Sequence, residues 1–126
     1  MMWCPSVDDI LRLHQKLIER TGGADGVRSM PLIESALQRF FAAYEGHEAH
    51  LSLEEKTAAV ACGLVQNHGF VDGNKRVGVA AMCLILAMNN VVIRFTQGEL
   101  VNLGLAMAQG DADVMQVAEW IRQRKA

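Results

Sequence analysis

The chain has 126 residues, of which 51% are hydrophobic and 21% are charged. This size predicts one globular domain spanning residues 1–126, since single domains most often contain about 100–150 residues. Twelve basic and fourteen acidic residues give a net charge of −2, which argues against direct nucleic-acid binding and against a membrane-surface protein.

The amino-terminal third predicts two helices. Ser6, with Asp9 three residues later, is typical of a capping box, and the glycines at 22–23 end the first helix. Pro31 stands where a first-turn proline belongs, and an apolar stripe over residues 32–44 has helical spacing. Because the stripe is continuous, we expect the second helix to run to its end and face a core.

The two most apolar stretches of the chain predict a pair of central helices. Ala58 to Val65 and Val77 to Met88 are apolar on every side, which is typical of buried helices. A capping box of Ser52 and Glu55 begins the first of them. The run from Val77 is too short to span a bilayer, which needs about 20 residues, and no apolar signal core lies near the amino terminus. A cytoplasmic protein is therefore expected.

The remaining third predicts two further helices. Thr96 with Glu99 caps one that runs to Ala108, and Asp113 caps the last, which ends near residue 124. Residues 91–95 are the one strand-like run, and a single short run cannot form a sheet without partners. The predicted fold class is all-α, a compact bundle of about six helices with a polar loop between two buried central helices.

Cysteine and histidine spacing predicts no resident metal centre. Cys4, Cys62 and Cys83 are odd in number and lack a Cys-x-x-Cys pair, so free, buried thiols are expected. The string from His47 to His50 is one residue short of the His-Glu-x-x-His pattern that puts two imidazoles on one helical face. We interpret it as part of an interhelical loop.

The polar loop itself concentrates chemically active side chains. It has the sequence His68-Gly69-Phe70-Val71-Asp72-Gly73-Asn74-Lys75-Arg76. Backbone N–H groups at the start of the following helix favour an anion, and the lysine, arginine and asparagine add donors for phosphate oxygens. The lone carboxylate of Asp72 would repel a bare phosphate, whereas Mg²⁺ binds protein carboxylates together with phosphate oxygens. The loop therefore predicts a site for a magnesium-bound nucleotide triphosphate.

One residue of the loop, His68, has two competing interpretations. His68 is a candidate general base for an attacking hydroxyl, and the alternative is that it merely caps the preceding helix. Phe70 is the expected apolar anchor of the loop. The glycine-rich residues 22–26 lack the Lys-Ser/Thr of a P-loop and predict a turn, with Arg20 and Arg28 nearby as candidates for a target groove.

The loop resembles the signature of the Fic/Doc family, and its Asn-Lys-Arg ending resembles the Doc branch. Gly22-Gly23-x-x-Gly26-x-Arg28 and the residues 32–37 that follow resemble the amino-terminal half of Doc, so the similarity covers nearly the whole chain. Gly69 stands where the family commonly has proline, and Val77 where it commonly has a small polar residue.

The resemblance implies the toxin of a type II toxin-antitoxin system, which phosphorylates a threonine of elongation factor Tu with ATP and so blocks translation. It implies that His68 is the base, that Asp72 holds Mg²⁺, and that Asn74 and Arg76 bind phosphates with Gly73 at the helix start. Lys75 would turn the γ-phosphate toward the target. Transfer of AMP to a protein hydroxyl, and a non-catalytic module that binds nucleotide or antitoxin, remain alternatives.

The resemblance also implies control by a second protein. Some Fic proteins silence themselves with a Ser/Thr-x-x-x-Glu-Gly/Asn helix, and this chain contains no such string. We therefore expect a cognate, Phd-like antitoxin that binds in trans, with a disordered segment that folds into a groove between helices. The first two helices, with the aromatic residues 40, 41 and 44, are the first surface to examine.

Overall fold

The secondary structure consists mainly of six helices. A computed structural model describes residues 2–44, 47, 48 and 52–126. Its elements in chain order are α1 (Val7–Thr21), α2 (Met30–Gln38), a 3₁₀ turn (Arg39–Phe41), β1 (Ala43–Tyr44), β2 (His47–Glu48), α3 (Leu53–Asn67), α4 (Asn74–Met88), α5 (Gln97–Gln109) and α6 (Val114–Gln123). The predicted all-α fold is confirmed. Over the described ranges, no helix combines the length and the apolar character that crossing a membrane requires.

The two apolar stretches form the central helices α3 and α4, as the sequence predicts. Helix α3 is buried at nearly every position from Glu54 to Val65, because it contributes to two cores. One core joins the central pair to α5 and α6, and the other joins it to α1 and α2. At Gly78 the helices approach so closely that an added Cβ would collide with a methyl group of Val65. The loop between α3 and α4 thus stands on the most constrained part of the molecule.

Side-chain acceptors begin five of the six helices of the described chain. They are Ser6, Ser29, Ser52, Thr96 and Asp113. The capping boxes predicted at Ser6 and Thr96 are confirmed. Ser52 accepts a hydrogen bond from the N–H of Glu55, while the Glu55 carboxylate lies 3.3 Å from Arg122 of α6. Helix α4 differs, because Gly73 precedes it without a side-chain cap.

The second helix is shorter than its apolar stripe, so the prediction that it continues to Tyr44 is wrong. It ends at Gln38, and the 3₁₀ turn and the hairpin of β1 and β2 follow. In a continuing helix the carbonyl of Phe40 would accept from the N–H four residues later, but here it accepts from the ammonium of Lys56 at 3.1 Å. Phe40 is buried, whereas Phe41 is 68% exposed.

Two smaller predictions have mixed outcomes. His47 lies on β2 in the connection between helices, as expected, whereas Ala49 and His50 lie outside the described residues. The three thiols are free, with Cys62 buried and the other two partly buried. Burial raises the pKa of Cys62 to about 11, so this thiol is inert at neutral pH.

The strand-like run at residues 91–95 pairs with the end of the chain. Ile93 and Lys125 form an isolated antiparallel bridge. The N–H of Arg94 donates to the carbonyl of Arg124 at 2.8 Å, and the N–H of Ala126 donates to that of Val92 at 2.9 Å. The run therefore finds its partner in a segment that has no strand signal of its own.

Candidate active site

The polar loop joins the two central helices through two residues in the left-handed backbone region. His68 ends α3 with φ 51° and ψ 48°, and Gly73 precedes α4 with φ 80°. Residues other than glycine rarely adopt such φ values, so the surroundings must stabilise His68. The capping interpretation of His68 is thus correct for its backbone. Its side chain is exposed and lines a cavity, which leaves the catalytic role open to it.

A segment formed by residues 26–29 pairs with the backbone of the loop. The N–H groups of Arg28 and Ser29 both donate to the carbonyl of Gly69, at 2.8 and 2.9 Å, and the segment accepts a bond from the N–H of Val71 at 3.1 Å. This pairing holds the middle of the loop against the start of α2.

Gly69 is required by its contact with α2. A Cβ at this position would lie 2.5 Å from Cγ1 of Ile33, well inside van der Waals contact. A side chain at position 69 would therefore require Ile33 of α2 to move.

The guanidinium of Arg28 holds the end of α3. Its Nε donates to the carbonyl of His68 at 2.7 Å, and its Nη2 donates to that of Asn67 at 3.4 Å. The last carbonyls of a helix lack partners within the helix, and a cation there is favourable. Arg28 thus stabilises the unusual backbone of His68. Arg20 lies exposed in the last turn of α1, and a role for it in a target groove stays a prediction.

The Asp72 carboxylate is anchored by backbone donors. The N–H of Ala24 lies 3.2 Å from Oδ2, the N–H of Gly73 lies 2.7 Å from Oδ1, and Nη2 of Arg76 lies 3.6 Å from Oδ1. The N–H of Ala24, followed by that of Gly73, holds the pKa of Asp72 below its ordinary value of 3.8. The side chain is 48% exposed. Asp72 is therefore a charged, accessible carboxylate at neutral pH.

Arg76 connects the loop to the end of α1. Its Nη1 donates to the hydroxyl of Thr21 and, at 2.7 Å, to the carbonyl of Gly22. A guanidinium has five N–H donors, so these contacts leave others for a phosphate. Residues 22–26, where the sequence predicts a turn, follow α1 without regular secondary structure, and Gly22 and Ala24 contact the site directly.

The amide of Asn74 braces the loop. Its Oδ1 accepts from the N–H of Phe70 at 3.1 Å, and its Nδ2 donates to the carbonyl of the same residue at 3.0 Å. Phe70 is 2% exposed and belongs to the core shared by α1 and α2, so the predicted anchor has the expected burial. The side chain of Asn74 thus has a structural duty, and phosphate binding by it stays a prediction.

The start of α4 presents an open set of donors. The first N–H groups of a helix have no partners within the helix, and this helix begins at Gly73 without a side-chain cap. Lys75 in its first turn is exposed. The combination of free N–H groups, helix dipole and adjacent cations favours an anion.

A cavity of about 510 Å³ brings the predicted residues together. Its walls are formed by His68, Val71, residues 72–76 and Ala108. Every predicted site residue except the buried Phe70 therefore contributes to one space. The base candidate His68 and the uncapped start of α4 share this cavity, which has the size of a small-molecule site.

The donor set fits Mg²⁺ only when phosphate completes the coordination. No cluster of three histidine, cysteine or acidic residues among the described positions could hold a metal by itself. Asp72 contributes the one carboxylate in the cavity wall. Mg²⁺ is commonly bound by one or two carboxylates with substrate phosphates and water, so the residues fit a metal that arrives with a nucleotide.

Two contributors outside the loop escaped the sequence analysis. His14 of α1 is buried and its ring stacks on Phe70. Gly23 touches the Asp72–Arg76 pair, since a Cβ there would lie 2.6 Å from Oδ2 of Asp72. A signal for His14 exists, because it is the one polar residue on the buried face of α1 that also carries Ile10 and Ile18.

Comparison with known proteins identifies the family of the chain. Residues 4–86 match the model of the Fic/DOC family. The chain is 30% identical over 118 residues to the protein kinase doc of Escherichia phage P1, covering 94% of this chain and 92% of that protein. It is 40% identical over 70 residues to the toxin Doc of Mycolicibacterium smegmatis, covering 56% and 54% of the two chains. The family match over residues 4–86 and the similarity to the phage protein along nearly the whole chain show that the chain belongs to the Fic/Doc family.

Proposed function

We propose that this chain is the toxin of a toxin-antitoxin pair and a protein kinase that transfers the γ-phosphate of ATP to a threonine of elongation factor Tu, which blocks translation. The carrying observation is that the uncapped start of α4 shares one cavity with His68 and Asp72. The names of the two relatives, a protein kinase and a toxin, support the toxin and kinase classes. The reaction would take place in the cytoplasm, where the proposed target works.

The proposed reaction needs one base and a place for negative charge. The threonine oxygen forms a bond to the γ-phosphorus while the bond from that phosphorus to the oxygen of ADP breaks, and His68 takes the threonine proton. The N–H groups of residues 74–76 and the side chains of Lys75 and Arg76 hold the phosphate oxygens. Phosphoryl transfer relies mainly on such positioning and charge stabilisation.

Asp72 is the proposed magnesium ligand. When bound, Mg²⁺ would neutralise charge on the phosphate oxygens. The chain's own contribution is to keep the Asp72 carboxylate ionised and fixed by the N–H groups of Ala24 and Gly73. Lys75 is the proposed residue that turns the γ-phosphate toward the target hydroxyl.

The proposal is tested by intact-mass spectrometry of purified elongation factor Tu after incubation with this protein, ATP and magnesium. We expect a gain of about 80 Da, one phosphoryl group. The gain should disappear with His68→Ala and with His68→Asn. The asparagine variant is the better control, because asparagine tolerates the left-handed backbone that His68 adopts and yet supplies no base.

The same spectrum separates the alternatives. A gain of about 329 Da would mean AMP transfer and would contradict the proposed role of Lys75. An unchanged mass, with a folded toxin and an active target preparation, would contradict the proposed kinase and favour the binding module. Retained phosphorylation in His68→Asn would remove His68 as the base.

We further propose that a cognate antitoxin covers an apolar groove beside the site. A cavity of about 350 Å³ lies between α1, α4 and α5, with Leu17, Val79 and Val101 in its walls and Lys75 and Arg76 at its edge. Apolar walls beside two cations suit an amphipathic segment that carries an acidic residue. The groove differs from the expected surface on α1 and α2, where Phe40 is buried.

The groove is tested by binding of the antitoxin encoded beside this chain. Val101 lines the groove and is 65% exposed. We expect the substitution Val101→Asp to abolish the complex in a pull-down. The matched control is Val92→Asp, since Val92 is 66% exposed and lies outside the groove. Equal binding by both variants would show that the antitoxin binds another surface and not this groove.

A further inference from the structure

His14 is a buried histidine that the proposed reaction does not use. It lies in α1, far from the loop in sequence, and is 2% exposed. Its ring stacks on that of Phe70 with centroids 3.8 Å apart and an angle of 10° between the planes. Its Nε2 lies 2.7 Å from the backbone carbonyl oxygen of Asp72. One side chain therefore contacts the loop at two points.

The hydrogen bond shows which ring nitrogen of His14 is the donor. A carbonyl oxygen can only accept, so Nε2 of His14 carries the proton and donates it. A buried donor without its acceptor would cost free energy, which keeps the ring and the carbonyl of Asp72 together. The short contact from a ring that is itself packed against Phe70 holds this carbonyl in one direction.

The orientation passes to the carboxylate through one peptide group. The carbonyl of Asp72 and the N–H of Gly73 belong to the same planar unit, so holding one fixes the other. That N–H donates to Oδ1 of Asp72 at 2.7 Å. The same peptide leads into the left-handed Gly73, where a Cβ would lie 3.4 Å from Nε2 of His14, and then into the start of α4.

We propose that His14 is a positioning residue that orients the Asp72 carboxylate and the start of α4 through the Asp72–Gly73 peptide. Only the kinetic test of this inference rests on the proposed kinase function. It predicts that the donor at Nε2, and not only the packing of the ring, determines how well the site uses magnesium.

Two substitutions separate the donor from the ring. His14→Phe keeps a ring that stacks on Phe70 and removes the donor, and His14→Gln removes the ring and keeps an N–H donor at similar reach. Residues that orient metal ligands typically change metal affinity by about 10–100-fold when they are lost. With elongation factor Tu and ATP held constant, we expect His14→Phe to need about 10-fold more magnesium for half-maximal phosphorylation. His14→Gln should remain within about threefold of the original protein.

A second readout does not depend on the reaction. Hydrogen exchange of the Gly73 amide, followed by NMR, should be faster in His14→Phe and protected in His14→Gln. If His14→Phe does not fold, His14→Leu provides another apolar variant without a donor. Magnesium dependence and exchange that are unchanged in the apolar variant, or equally altered in His14→Gln, would overturn the inference. If the original protein phosphorylates nothing, the kinase proposal fails, and the exchange measurement still decides the role of His14.

Discussion

Gly23 lies so close to Asp72 that a side chain at this position would force Asp72 or Arg76 to move. Its φ is 113°, and a Cβ would lie 2.6 Å from Oδ2 of Asp72 and 2.9 Å from Nη2 of Arg76. The neighbouring Gly22 also has a positive φ, 82°, but a Cβ there would meet no atom within 4 Å. The two glycines therefore share a backbone requirement, and they differ in whether an added Cβ would collide with the site.

This difference yields a prediction for Gly23→Ala. Alanine at either glycine should lower the free energy of unfolding by about 1–3 kcal/mol, the usual cost of an unfavourable backbone region. Gly23→Ala should also displace Asp72 and Arg76, and a misplacement near 1 Å can lower a rate by about 100-fold. Phosphorylation rates and melting temperatures of both variants check this.

Gly22→Ala is the control, because it causes the same kind of backbone strain but adds no Cβ that would collide with Asp72. Equal loss of rate in the two alanine variants would show that backbone strain alone accounts for the effect. The close approach of Gly23 to the carboxylate of Asp72 would then not affect the reaction rate.

At the scale of elements, α3 shows what burial on every side requires. From Glu54 to Val65 every residue except Glu55 is buried, so polar groups in this part of the helix need internal partners. The hydroxyl of Thr57 is fully buried and has no hydrogen-bond partner among the described residues. An unsatisfied buried hydroxyl costs about 1–3 kcal/mol.

We therefore expect Thr57→Val to stabilise the protein by about 1 kcal/mol, because valine has nearly the same shape without the hydroxyl. Thr57→Ser is the matched control, since it keeps the hydroxyl and deletes a buried methyl, and it should destabilise by about 1 kcal/mol. Urea unfolding of the three proteins measures both effects. Destabilisation by valine would reveal a partner for the hydroxyl in solution, such as a buried water.

At the scale of the whole molecule, the last residues of the chain form ion pairs with two helices, α3 and α5. Lys125 pairs with the buried Glu54 at the start of α3, and Arg124 pairs with Glu99 of α5 at 2.8 Å. Burial by itself would raise the pKa of Glu54, but the hydrogen bond from Lys125 and a backbone N–H lower it below its ordinary value of 4.5. A depressed folded-state pKa stabilises the protein above pH 4.5, and this stability is lost as the pH falls through the folded-state pKa.

Lys125→Met should weaken this acid dependence. Without the ammonium, burial becomes the main influence and shifts the pKa of Glu54 upward, so the free energy of unfolding should fall less between pH 5 and pH 3, roughly the range in which glutamate titrates. Urea unfolding across this range measures the slope. Glu54→Gln, which removes the titrating group, is the control, and a slope unchanged in both variants would exclude Glu54 as its source.

The sequence determined the features that depend on neighbours along the chain. Helix starts at Ser6, Thr96 and Asp113 follow from local hydrogen bonds, and the central helices follow from a hydrophobic pattern that only burial on all sides satisfies. The loop was recognisable because its residue types are unusual between two apolar stretches. Local chemistry was sufficient for all of these, so they required no knowledge of the fold.

Only the tertiary structure decided the contacts between distant segments. Lys56 donates to the carbonyl of Phe40 just beyond the end of α2, Lys125 pairs with Ile93 of the strand-like run, and His14 of α1 donates to the backbone of the loop. Each contact joins residues that are far apart in sequence, so no local pattern encodes it. The physical reason is that a donor, an acceptor or a collision constrains the backbone only after folding has brought the two segments together.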